Sequence, residues 1–335
     1  MKSLKSLIYL IYGGFQYIFT KRNSEESYQA YVKLYSITNG FSSKLFHQFH
    51  KVLESLNIFK KKQINISDNL NLSNKIVFNE NLNSVLNTIN RDSYYKFSSL
   101  LKNKKCELIL NFINNLNGYG NKNINKVTNL KNKENDISYI NFHEKDLIKC
   151  PEIQELTLNK LFLNICRKYF GSEPILTNIG VAVTYPTQEP KTEYAQLYHF
   201  DLDRIKWLKF FIYLSDVKES DGPHCFIKGT HKAFSKPYKL VKRGYKRTED
   251  KELFKYLDKD DEQILLGPKG TVFVGDSSAF HKGLNPIKKK RIMLQLEYSN
   301  SLFGSKYENI ELSNYKNLSM NKQELLRYKL FSRFY

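Results

Sequence analysis

A chain of 335 residues with 41% hydrophobic and 26% charged residues carries enough apolar material for one large domain or two, which argues against a disordered protein. Its 53 Lys and Arg against 33 Asp and Glu leave a net charge of +20, which calls for an acidic partner unless the lysines simply coat the whole surface. Cys106, Cys150, Cys166 and Cys225 show no C-x-x-C spacing, which rules out the usual zinc ribbon, argues against a disulfide framework and leaves them as buried or incidental thiols.

Residues 1–22, MKSLKSLIYLIYGGFQYIFTKR, are the most apolar stretch. Gly13-Gly14 interrupts it and no A-x-A-like cleavage site follows, so it does not read as a signal peptide. It is also short of the roughly 20 apolar residues a spanning helix needs. Two readings stay open: peripheral contact with an anionic membrane through Tyr9, Tyr12, Phe15 and Tyr17, or packing on the protein's own core. Either is consistent with a cytoplasmic protein, peripherally membrane-associated in the first case.

Ser24-Glu25-Glu26 signals a helix start and Asn39-Gly40 its stop. A second helix is expected over Ser42–Leu56, with Leu45, Phe46, Phe49, Val52 and Leu53 on its inward face. His47 and His50 on it lack acidic or sulfur partners and read as ordinary helix histidines. Lys60–Asn83 is polar and loop-like, and helical periodicity returns from Leu86 to Asn117. Lys122–Asn135 is the best linker candidate, and Pro151 opens a helix ending before Gly171. A mostly helical N-terminal region would then span 1–135, a β domain with its preceding helix 136–305, and a helical C-terminal tail 306–335, with a basic helix over Asn321–Phe334.

Short strands with Gly and Pro turns follow. They are expected at Ile175–Tyr185, Ala195–Asp201, Trp207–Leu214, Cys225–Lys228, Gln263–Leu266, Thr271–Val274, Ala279–His281 and Arg291–Tyr298, with a helical insertion around Glu249–Leu257. This set matches a mainly β core of the jelly-roll, cupin-like kind, a double-stranded β-helix with flanking helices.

His199 and Asp201 lie two apart on one of these strands, so both point to the same face. An imidazole and a carboxylate with open positions left over are two thirds of a 2-His-1-carboxylate site for Fe(II). His281 supplies a second imidazole, and Arg291, ten positions on at the start of the next strand, a guanidinium suited to a carboxylate. A chelating 2-oxo acid with a distal carboxylate, 2-oxoglutarate, demands that combination. His224 and His231 are rival third ligands, but His281 has a strand before it and an Arg on the strand after. Lys209 and Tyr213 share a face with Trp207 and would reach the cosubstrate if that face looks inward. Asp203 is expected at the strand's exit, exposed or paired with Arg204. Asp276 is either an acceptor orienting His281 or an ordinary turn carboxylate.

From Ile175 to Ser299 the chain resembles the phytanoyl-CoA dioxygenase-like family of Fe(II)/2-oxoglutarate oxygenases. The resemblance rests on His199-Phe200-Asp201, LKFFIYLSDV, SDGPHCFIKGTHK, Gly275-Asp276, His281-Lys282-Gly283 with Asn285, and Arg291. Lys228 and Thr230 depart from the family's P-G-S-H turn. The resemblance implies a double-stranded β-helix, iron on His199, Asp201 and His281, and 2-oxoglutarate on Arg291. It also implies a hydroxylase using O2 to oxidise an unactivated C–H bond, Asp201 arguing against the related halogenases.

The substrate expected is small or lipid- or sugar-linked, and anionic. Lys236–Arg247, KPYKLVKRGYKR, is the best basic, aromatic stretch for nucleic acid, but it suits a phosphate, sugar acid or CoA equally, and these are preferred. The alternative is an inactive β-helix serving as a basic membrane-surface or nucleic-acid-binding protein; it predicts a missing ligand or anchor, and none is missing.

Overall fold

The computed structural model describes residues 8–14, 16–17, 22–56, 76–190, 195–244, 246–315 and 325–335. Four strands precede the barrel section: β1 (Tyr94–Lys96), β2 (Gly118–Gly120), β3 (Val127–Thr128) and β4 (Tyr139–Phe142). The rest are β5 (Ile175–Thr184), β6 (Trp207–Tyr213), β7 (His224–Ile227), β8 (Glu262–Leu265), β9 (Val272–Gly275), β10 (His281–Gly283) and β11 (Arg291–Ser299).

They form two antiparallel sheets, one in the order β1-β9-β6-β11-β5-β4-β2-β3 and a smaller one in the order β10-β7-β8. An antiparallel bridge between His199 and His281, with amide-to-carbonyl distances of 3.0 and 2.8 Å, adds the stretch around His199 to the edge of the smaller sheet. From β5 onward the chain passes repeatedly between the two sheets, which is the double-stranded β-helix.

Strand alternation decides what each face meets. On β6, Phe211 and Tyr213 join Phe226, Leu265, Phe273 and Met293 inside the barrel, while Leu208, Phe210 and Ile212 face the helices outside. Phe162 of the helix Lys160–Phe170 stacks on Phe210 at 4.1 Å between centroids. Both rings are fully buried, each worth roughly 2–3 kcal/mol of apolar burial. The helices Glu25–Ile37 and Phe41–Ser55 cover the other side, where Tyr35 stacks on Phe200 at 5.9 Å. Ser24 caps the first of them by accepting from the Ser27 amide.

Several expectations need correction. The helical periodicity expected over Leu86–Asn117 is carried by two helices, Leu82–Asp92 and Asn103–Ile113, and is interrupted by β1 between them. Ser93 ends the first in the left-handed region (φ 80°), and β1 pairs with β9 at the sheet edge. The expected linker 122–135 contains β3, and β2 and β4 hydrogen-bond into the large sheet, so strands from the N-terminal region are built into the barrel wall. The helix from Pro151 breaks into Pro151–Thr157 and Lys160–Phe170, because Asn159 caps the second through the amides of Leu161 and Phe162.

The helix Phe41–Ser55 is rotated from its expected setting, with Leu45, Phe49 and Val52 more than half exposed. Polar contacts turn it: Ser43 donates to the Ile205 carbonyl at 2.8 Å, and His47 Nδ1 lies 3.2 Å from Asn300 Nδ2. In place of a basic C-terminal helix, residues 325–335 form turns and a 3-10 helix at Lys329–Phe331. Arg333 is buried there, bonded to the Leu176 carbonyl at 2.7 Å and to Glu144. Residues 316–324, including the start of that expected helix, lie outside the described residues, as do 1–7, Phe15, 18–21 and most of the Lys60–Asn83 loop.

In the apolar N-terminal stretch, Leu10 and Tyr17 are buried against the same core as Tyr31, while Ile8, Ile11 and Tyr12 are exposed. Among the described residues no helix is long and apolar enough to cross a membrane. The four cysteines are buried free thiols.

Lys236 is a buried lysine whose Nζ donates to the Tyr35 hydroxyl at 2.9 Å and sits over the Tyr35 and Phe200 rings. Burial pushes its pKa down to about 7, so the folded protein releases a proton that the unfolded chain keeps up to about 10.5. In that window the unfolded state binds more protons and stability rises with pH; below about 7 both states are charged and this group adds no slope. Lys236→Met is therefore expected to stabilise most at pH 6. Its advantage should shrink by about 2–3 kcal/mol by pH 9, as read from urea unfolding at the two pH values. An advantage that does not change with pH would mean that the amine stays charged in the fold.

Candidate metal and cosubstrate site

The expected strand Ala195–Asp201 is instead an extended stretch held by isolated bridges, Tyr198 to Thr248 and His199 to His281, and β10 begins at His281 itself; both still place their side chains by parity. His199 and Asp201 point into the barrel while Phe200 between them packs outward on Tyr35 and Phe280. His281 points inward and Phe280 outward in the same way. The Asp201 amide is pinned by the Ser277 carbonyl at 2.8 Å. As a result the ligand atoms of His199, Asp201 and His281 all lie within 4.8 Å of one another, and all three residues are buried. Asp201 Oδ1 is 3.8 Å from His199 Nε2, and Oδ2 is 3.6 Å from His281 Nε2.

The tautomers follow from the backbone. His199 Nδ1 is 2.9 Å from the Leu197 carbonyl and His281 Nδ1 is 3.0 Å from the Ala279 carbonyl. A carbonyl can only accept, so each Nδ1 carries the proton and each Nε2 presents a lone pair to the centre of the group. Burial keeps both imidazoles neutral, His199 well below its ordinary value and His281 below its own. Burial opposes ionisation of Asp201, but the Lys209 ammonium at 2.6 Å outweighs it and holds the carboxyl well below the usual range. Neutral imidazoles around an ionised carboxylate are ready for a divalent metal, with no proton to displace near neutral pH. The buried group fits a metal-binding facial triad.

Lys209 faces inward, but toward carboxylates. Its Nζ is 2.6 Å from Asp201 Oδ2, 3.3 Å from Asp203 Oδ2 and 3.5 Å from Glu297 Oε2. Asp203 is thus neither exposed nor paired through its side chain with Arg204, whose guanidinium donates to the Asp203 and Ser305 carbonyls. Tyr213 also faces inward, where its hydroxyl donates to the Leu265 carbonyl and accepts from the His224 amide, both at 2.9 Å. Asp276 does not touch His281. It accepts from Lys206, Tyr169 and Ser278 instead, so of its two expected roles the one of orienting the imidazole falls away.

His199, Asp201, Lys209, His281 and Arg291 line one cavity of about 270 Å³, with His224, Phe211 and Arg247 also on its wall. Arg291 is buried, its Nη1 donating to the Gly222 carbonyl, while its Nε has no partner among the described residues. Gly283 makes room for it: a Cβ there would sit 2.7 Å from Nη2 and 2.8 Å from Nη1. His224, by sequence a rival ligand, stands outside the triad, and its buried Nε2 is likewise unpartnered. Two orphaned buried polar atoms, one of them a guanidinium donor, belong to residues on one cavity wall and call for a partner that the protein itself does not supply. The signal for His224 is its strand position opposite Gly283 in the β7–β10 register, which the sequence alone does not display. His231 lies elsewhere, beside Asp276 on the wall of a second cavity.

No protein-family model matches the chain, and no curated protein matches it. Solved structures similar to it include HygX from Streptomyces hygroscopicus with nickel and 2-oxoglutarate bound, at 15% identity and a TM-score of 0.47, covering 69% of this chain and 90% of that one. Others are the non-heme alpha ketoglutarate dependent epimerase SnoN (13%, TM-score 0.44, 65% and 80% covered) and EctD from S. alaskensis (15%, 0.44, 67% and 79%). At these similarities, function has to be read from this chain's own topology and site.

Proposed function

We propose that this protein is an Fe(II)/2-oxoglutarate-dependent oxygenase of the phytanoyl-CoA dioxygenase-like kind. His199, Asp201 and His281 hold the metal, and Arg291 receives the distal carboxylate of 2-oxoglutarate. The observation that carries this reading is that the His–Asp–His group and a buried, partly unpartnered guanidinium open into the same small cavity. When bound, iron with 2-oxoglutarate and O2 supplies the oxidising power for an unactivated C–H bond. The chain's own residues orient and exclude. Burial of the triad keeps water away, Lys209 keeps Asp201 ionised, and His224 Nε2 offers the cosubstrate a further polar contact.

Hydroxylation of a small or lipid- or sugar-linked anion is the favoured reaction, since Asp201 occupies the position that a halogenase leaves open and Arg247 and Lys122 add positive charge to the cavity wall. An inactive basic binding protein is not favoured, since His199, Asp201, His281 and Arg291 line one cavity.

The test is slow, substrate-uncoupled formation of succinate from 2-oxoglutarate by the purified protein with Fe(II) and O2. Succinate should appear with Fe(II) and not with Zn(II). Absence of both succinate and any 2-oxoglutarate binding in the presence of Fe(II) would overturn the reading.

A further inference from the structure

A second cavity, about 470 Å³ and thus larger than the first, lies behind the turn Asp276–Ser278 and shares no lining residue with the metal cavity. Ser277, at the centre of that turn, bonds the Asp201 amide through its carbonyl and the Trp207 indole through its hydroxyl, so the turn forms a wall between the two spaces. The helices Glu25–Ile37 and Phe41–Ser55 and the turn after β7 close the other sides.

The lining is unusual in its charge. Lys44, Lys206 and Lys232 contribute ammonium groups against a single carboxylate, Asp276. That carboxylate is already engaged: its Oδ2 takes Lys206 Nζ at 2.7 Å and the Tyr169 hydroxyl at 2.6 Å, and its Oδ1 takes the Ser278 amide at 3.0 Å. Lys206 is clamped further by the Tyr169 hydroxyl at 2.7 Å and by the ring face beneath it. Lys44 and Lys232 have exposed side chains at the mouth. His231 adds a buried Nδ1 with no partner, and burial keeps its imidazole neutral, pushed down to about 4.

The remaining wall is aromatic. Trp207, Tyr35 and Tyr169 line the inside, and Phe41 stacks on Phe234 at 5.6 Å with an interplanar angle of 23° at the rim. Phe234 is 66% exposed and holds a left-handed backbone (φ 63°), so the chain keeps a large apolar ring at an open mouth in a conformation that disfavours it. Excess cationic charge, an unpartnered imidazole nitrogen and flat apolar walls suit a molecule with a negative head group and a planar body.

We propose that this second cavity is a binding site for a small organic anion, a phosphate or carboxylate attached to a flat apolar group. The site stands apart from the metal and needs neither iron nor 2-oxoglutarate. Trp207 is the only tryptophan of the chain and lines this cavity alone, so its emission reports occupancy directly.

The experiment titrates the full-length, metal-free protein with phenyl phosphate, benzoate, phenol and inorganic phosphate at constant ionic strength, following Trp207 fluorescence. Phenyl phosphate or benzoate should give a saturable change at a concentration about tenfold below that of phenol, and the tighter of the two identifies the head group. The double variant Lys44→Ala, Lys232→Ala should raise the half-saturation for the anions about tenfold and leave phenol unmoved. Phe234→Ala should weaken the aromatic ligands and leave inorganic phosphate unmoved. All three side chains are exposed, so circular dichroism is expected to show an unchanged fold. No saturable change, equal response to phenol and phenyl phosphate, or indifference to both variants would overturn the proposal. Because no metal is present, none of these outcomes bears on the oxygenase reading.

Discussion

Replacing His281 by alanine is expected to weaken Fe(II) binding by on the order of a hundredfold or more, since even partners that only orient a ligand are worth roughly ten- to a hundredfold. It should also erase the weak visible absorption that a ferrous site chelated by 2-oxoglutarate shows under anaerobic conditions. The reason lies in how the imidazole is held. Its Nδ1–H is fixed on the Ala279 carbonyl and its backbone is bridged to His199, so Nε2 has one direction to point, toward Asp201. With that nitrogen gone, the buried pocket retains one imidazole and a carboxylate already paired with Lys209. His231→Ala is the matched control, and it should leave the absorption intact because His231 lines the other cavity. The reverse pattern would move the third ligand to His231 and dissolve the assignment.

The second large effect concerns Arg291. Arg291→Lys should raise the 2-oxoglutarate concentration needed for half-saturation by on the order of tenfold, because a point charge cannot reproduce a planar fork. Arg291→Met should raise it by about a hundredfold or more, the usual scale for removing one side of a buried charge pair. Fe(II) binding alone should be little changed in either variant. Gly283→Ala offers an independent test, since its Cβ would collide with both Nη atoms and push the guanidinium off the strand. It should weaken 2-oxoglutarate binding although every charged residue of the site is retained. Calorimetric titration under anaerobic conditions reads all three; an unchanged affinity in Arg291→Met would transfer the anchor to Lys209 or Arg247.

Several features are legible in the order of the amino acids alone. The H-x-D spacing places two ligands on one face of any extended backbone, and the stretch around His199 keeps that parity although isolated bridges to Thr248 and His281, not a regular strand, hold it. The barrel strands are legible too, since apolar runs bounded by Gly and Pro turns carry their own boundaries. β5, β6 and β11 lie close to where those runs put them. The Ser24 cap and the Asn39-Gly40 stop bound the helix Glu25–Ile37 for the same reason: a few neighbouring residues satisfy or terminate its hydrogen bonds.

What only the tertiary structure decided are contacts between positions far apart in the chain. Strand parity put Lys209, Phe211 and Tyr213 on one face, but whether that face looked inward depended on which sheet packed against which helix. Once inward, Lys209 was claimed by Asp201, Asp203 and Glu297, the last of them 88 residues away on β11. Asp276 met Lys206 and Tyr169, 70 and 107 residues distant, in preference to the His281 five positions on. The helix Phe41–Ser55 turned its polar side inward because Ile205 and Asn300 offered partners there, overriding its apolar periodicity. Periodicity records which residues can share a face; the hydrogen bonds and charges waiting on the opposing surface determine where that face is buried, and those come together only when the chain has folded.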